Sequence, residues 1–126
     1  MDGTNTLKVR LDAAAAGLRR AIESNAEAER LAAKSRELPG VAPQLLAIRA
    51  ATAAAVAADT SAQRLYARIE ELAGEGQNAL ELVLIFSSAV EAVRHAADAA
   101  AQGLGVLTGL VNQRARFERR SGGSRS

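Results

Sequence analysis

The chain has 126 residues, 16 Lys and Arg against 14 Asp and Glu, no Cys, no Trp and one His. That length suits one compact domain, and the absence of Cys excludes a disulfide framework, a Cys-ligated metal and a Cys nucleophile. Thirty residues are Ala and only 31 are larger apolar ones, so little bulk is at hand for a core. No uncharged apolar run reaches the roughly 18–20 residues that cross a bilayer, so no transmembrane span is expected. The start, Met1-Asp2-Gly3-Thr4-Asn5, lacks the basic-then-apolar layout of a cleaved signal peptide. A cytoplasmic protein is the default expectation, with non-classical export left open.

Ala, Leu, Arg and Glu dominate, and all four favour helix. Two clusters of breakers, Pro39-Gly40 with Pro43 and then Gly74 with Gly76, divide the chain into three long periodic segments. The first segment spans about Thr6 to Glu37, with Leu7, Leu11, Ala15, Leu18, Ile22, Ala26 and Ala33 as its inward stripe. Pro39 ends it, because the residue before a proline is driven out of the helical region. Pro43 then suits the first turn of a second helix, where its missing N–H is not needed.

The second segment, about Pro43 to Ala73, has the cleanest pattern. From Val41 the stripe is Leu45, Ile48, Ala51, Ala55, Ala58, Ala62, Leu65, Ile69 and Leu72. Its steps of three and four match a coiled-coil seam, lined mostly by Ala so that helices approach closely. The third segment opens at a capping box, Asn78-Ala79-Leu80-Glu81. Its stripe is Leu82, Phe86, Ala89/Val90, Val93, Ala97, Ala100, Leu104, Leu107 and Val111. It runs to about Glu118, or breaks near Gly103–Gly105. The first two helices should each be about 46–48 Å long and the third up to about 60 Å. The expected fold is all-α: an antiparallel hairpin plus a long third helix, or four helices if the glycines break it. Residues 1–120 form the single bundle domain, and 121–126 read as a flexible basic tail.

Two features ask for a partner. Leu80, Leu82, Val83, Leu84, Ile85 and Phe86 place large apolar groups all around one and a half turns, whereas a helix with one neighbour needs an arc of about 100°. Either this helix is central in its own bundle, or a second chain covers it. Ala101, Gly105 and Gly109 lie four apart on one face, which suits close helix packing. The other reading is a hinge or helix end at Gly103–Gly105.

The charge is uneven. Residues 74–111 carry one basic and four acidic side chains, and 112–126 carry five Arg and one acid. Arg114, Arg116, Arg119, Arg120 and Arg125 would suit phosphates, or the dipole at a helix C-terminus. With only Phe117 among them there is no stacking platform for bases. Chemistry has little support. His95 has Glu91 and Asp98 on its own helical face, an arrangement that suits an exposed ion-pair strip better than a metal site. Ser87-Ser88 has no base beside it, and Gly74-Glu75-Gly76 lacks the Gly-Lys-Ser/Thr ending of a phosphate loop. No catalytic residue, cofactor, metal or small-molecule substrate is expected.

Usage of 14 Arg to 2 Lys resembles that of a high-GC bacterial genome. Leu72-Ala73-Gly74 at the second break and Tyr66-Ala67-Arg68-Ile69-Glu70 before it resemble the turn and export motifs of the small Ala-rich helical proteins of actinobacterial ESX (type VII) secretion loci. Those proteins are helical hairpins with a Trp-x-Gly turn followed by a C-terminal Tyr-x-x-x-Asp/Glu. Here Leu stands in place of Trp, and the Tyr motif precedes the turn. The resemblance implies pairing through helices. The residues lead to the same expectation: a non-enzymatic interaction module that self-associates or pairs with another helical protein. The alternative is an accessory nucleic-acid binder using the Arg cluster.

Overall fold

The computed structural model describes residues 2–74 and 80–124. It contains α1 (Asp2–Lys34), α2 (Val41–Gly74) and α3 (Leu80–Ser124), and no strand among the described residues. At 1.5 Å per residue these are about 50, 51 and 68 Å long, so α3 overhangs the hairpin. Arg20 meets Asp98 and Glu37 meets Arg114, nearly the same offset in sequence, so α1 and α3 run parallel. Arg49 reaches Glu29, Ile48 meets Gly103 and Tyr66 packs on Phe86, so α2 runs antiparallel to both. The result is a three-helix bundle.

The α1–α2 turn is tighter than expected. Ser35 N–H bonds Ala32 O, Leu38 N–H bonds Ser35 O and Val41 N–H bonds Leu38 O, at 3.1–3.3 Å. These three-residue bonds end α1 at Lys34, short of the expected Glu37. Gly40 takes φ of 91°, a left-handed backbone that glycine adopts without strain. That reversal lets α2 start at Val41, placing Pro43 within its first turn. Glu81 lies in the first turn of α3, where its charge favours the helix dipole. Asn78, the other half of the expected capping box, lies outside the described residues.

Ala21, Ala28, Ala55, Ala97 and Ala100 are fully enclosed, and Phe86, Ile48, Leu107, Val41 and Val93 are the largest fully buried side chains. Small residues therefore set the spacing between helices, and each large one fills a gap between them. The expected α2 seam is the inner face: Val41, Ile48, Ala55, Ala62 and Ile69 are buried, with Leu45, Ala51, Leu65 and Leu72 half-buried between them. The expected α3 stripe is likewise inward.

The α1 stripe needs correction. Leu7, Leu11, Ala15 and Leu18 face inward, but Ile22 is 48% exposed and Ala26 and Ala33 are exposed. The buried line is instead Ala14, Gly17, Ala21, Ser24, Ala28, Ala32 and Ser35. Contact at close range favours the smallest side chains, so Ala and Ser take the interface and the bulkier Ile22 is turned outward.

Two further expectations about α3 change. It is unbroken: Gly103, Gly105 and Gly109 all keep negative φ, and the four-helix alternative does not apply. It also continues through Ser124, so residues 121–124 of the expected tail are helical.

Candidate interaction surfaces

The apolar start of α3 divides into two halves. Phe86 is fully buried, tilted against Tyr66 with ring centroids 6.2 Å apart, and Leu82 and Val83 pack half-buried around it. Phe86 is thus a core residue of the single subunit, which corrects its placement on a partner surface. Its phase around the helix decides this, because it lies in line with Val93, Ala97 and Ala100. Leu80, Leu84 and Ile85 stay 62%, 61% and 47% exposed. Tyr66 sits in the same cluster, and its phenol is held above its ordinary value of 10.0 by burial and then by the Glu70 carboxylate.

Ala101, Gly105 and Gly109 are exposed, and a Cβ built on either glycine meets nothing within 4 Å. That face makes no close packing within the subunit. The close approach belongs to Gly103, where a Cβ would stand 2.7 Å from Ile48 Cγ1 and 3.0 Å from Gln44 Nε2. Ala101, Gly105 and Gly109 therefore stay open to a second chain, while Gly103 serves the packing of α3 on α2.

The Arg cluster also divides. Arg114 is a structural tie: Nη1 donates to Glu37 Oε1 at 2.5 Å and Nε donates to Glu118 Oε1 at 2.8 Å, so the α1–α2 turn is fastened to α3. Glu37 is pulled below its ordinary 4.5, first by its own backbone N–H and then by Arg114. Arg116, Arg119 and Arg120 are exposed on the overhang, and Arg125 lies outside the described residues. Between the overhang and the turn lies an open groove of about 1020 Å³, lined by Leu38, Pro39, Leu110 and Phe117 with Arg114, Arg116 and Arg120 at its edges.

Glu91, His95 and Asp98 form no metal centre. Glu91 faces Arg94 at 3.5 Å and His95 at 3.9 Å, and Asp98 faces Arg20 at 3.5 Å. No group of three or more His, Asp or Glu among the described residues is placed to hold a metal ion.

Three features were not read from the sequence. Val106 and Phe117 are 54% and 70% exposed on α3. Asp59 is buried in α2, with Oδ2 accepting from Gln63 at 2.8 Å and Oδ1 lacking a protein partner. Within Val41–Leu72, α2 holds an 18-residue window of mean hydropathy 1.5, long and apolar enough by length and composition alone to cross a membrane. Counting uncharged runs missed this, because Ala keeps the mean high although Arg49 and Asp59 interrupt the helix. Comparisons with protein-family models, with curated proteins and with solved structures found no match to this chain.

Proposed function

We propose that this chain is a non-enzymatic helical interaction and assembly module that self-associates or pairs with another helical protein. The carrying observation is the start of α3, where Leu80, Leu84 and Ile85 remain about half exposed or more after Phe86, Leu82 and Val83 have been used in the core. Covering these side chains yields roughly 25 cal/mol per Å² of apolar area, from which association costs are subtracted. The open Ala101, Gly105 and Gly109 face gives a second helix room to approach. Resemblance to the secretion-locus proteins supports the same mode, pairing through helices.

Sedimentation velocity on the wild type and on Leu84→Asp tests this. The wild type is expected to associate at micromolar concentration. Leu84→Asp should keep its helical circular dichroism and run as a monomer. A wild type that stays monomeric at high micromolar concentration would remove the self-association reading.

A second reading rests on Arg116, Arg119 and Arg120, which are exposed within one turn of the overhang: an accessory contact to nucleic-acid phosphates. Binding would then weaken steeply with salt and vanish when all three are changed to Glu. Binding that survives this triple change would dispose of it.

A further inference from the structure

The outward side of α3 carries a second seam that its own subunit does not use. Starting at Glu81 and ending at Arg120, exposed residues recur in steps of three and four through Leu84, Val106 and Phe117. This spacing is that of a coiled-coil contact line. Leu84, Val106 and Phe117 are three of the exposed large apolar side chains of α3, and all fall on this one line. The order of steps reads the same from either end, so the line matches itself when a second copy is reversed. In that reversed register Glu81 faces Arg120 and Leu84 faces Phe117. Nearer the centre Ala92 faces Gly109, two small residues that let the helices come close.

We infer that the partner of this surface is a second copy of the same chain, bound antiparallel through the outward face of α3, about a two-fold axis between Ala99 and Gln102. The inference rests on the self-association reading and names its occupant and direction. Charge complementarity selects the direction. A parallel pair would set Glu81 against Glu81 and Arg120 against Arg120. The antiparallel pair joins opposite charges at both ends, and among the described residues neither Glu81 nor Arg120 has an ion-pair partner in its own subunit. A reversed copy also brings Leu84 to the groove walled by Phe117, Leu110 and Leu38. Because the two-fold operation uses the same patch on both subunits, assembly closes at a dimer instead of growing into a filament.

The Cys-free chain makes disulfide trapping a clean test. Ala92→Cys protein mixed with Gly109→Cys protein under mild oxidation should give a covalent heterodimer. Neither variant alone should cross-link, since like positions in the antiparallel pair lie about 25 Å apart along the helix and a disulfide needs Cα atoms within about 7 Å. As a second measurement, Glu81→Arg or Arg120→Glu alone should weaken dimerisation about fivefold, and the two together should restore it. Cross-linking of Ala92→Cys with itself, or a dimer by light scattering with no cross-link in the mixture, overturns the antiparallel arrangement and leaves self-association standing. A wild type that scatters as a monomer at high micromolar concentration overturns both.

Discussion

Gly103 lies against Ile48 so closely that a Cβ on the glycine would stand 2.7 Å from Ile48 Cγ1, while two residues on, Gly105 faces open space. Ile48 is fully buried and stiff at χ1, so it has little freedom to give way. Gly103→Ala gains about 1 kcal/mol of helix propensity but meets overpacking of about 1–3 kcal/mol, for a net loss. Gly105→Ala gains the propensity without the clash and should stabilise by about 1 kcal/mol. Urea midpoints of the two variants are expected on opposite sides of the wild type.

Phe86 and Leu84 are two residues apart and have different roles. Phe86→Ala empties the centre of the cluster around Tyr66 and Ile69 and should cost about 3–5 kcal/mol. Leu84→Ala removes an exposed side chain and should change the stability of the subunit by no more than about 0.5 kcal/mol. Denaturation at concentrations too low for association separates the two effects.

Asp59 places a carboxylate oxygen without a protein partner inside an Ala-rich layer. A buried polar atom left unpaired costs about 1–3 kcal/mol, and Ala is also the better helix former. Asp59→Ala is therefore expected to stabilise the bundle by about 1 kcal/mol or more, read as a higher melting temperature. A loss of stability would mean that the carboxylate has a structural role beyond its bond to Gln63.

Acid should loosen the bundle. Arg49 donates to both oxygens of Glu29 at 2.6 and 2.7 Å, which holds Glu29 below its ordinary 4.5. Glu27, beside Arg30, and Glu37 are lowered as well. A carboxylate whose folded value is depressed adds stability that is complete above its unfolded value and is lost as pH falls through the folded one. Melting temperature should therefore decline below about pH 4.5. Glu29→Gln should shallow that decline, because one contributing group is gone. An unchanged slope would show that the Arg49 bridge adds nothing across the α1–α2 contact.

The sequence by itself determined the helices and two of the three inward faces. Ala-rich composition, the Pro39-Gly40 break and the steps from Val41 to Leu72 specify α2 and its seam, because periodicity is a property of one helix alone. The α3 stripe was legible for the same reason. Tertiary structure decided what depends on how a helix is rotated against its neighbours. Within the run Leu80–Phe86 nearly every position is apolar, so the run alone carries no phase. The stripe that continues through Val93, Ala97 and Ala100 already put Phe86 inward, and the packing against Tyr66 shows which of its apolar neighbours stay outside, Leu84 among them. Gly103, Gly105 and Gly109 look alike in sequence, yet only Gly103 stands where α2 comes close. In α1 the same principle turned Ile22 out and brought Ala21 in. Where helices pack on Ala, the shortest side chains hold the contact, and an assignment weighted by hydrophobic size points to the wrong face.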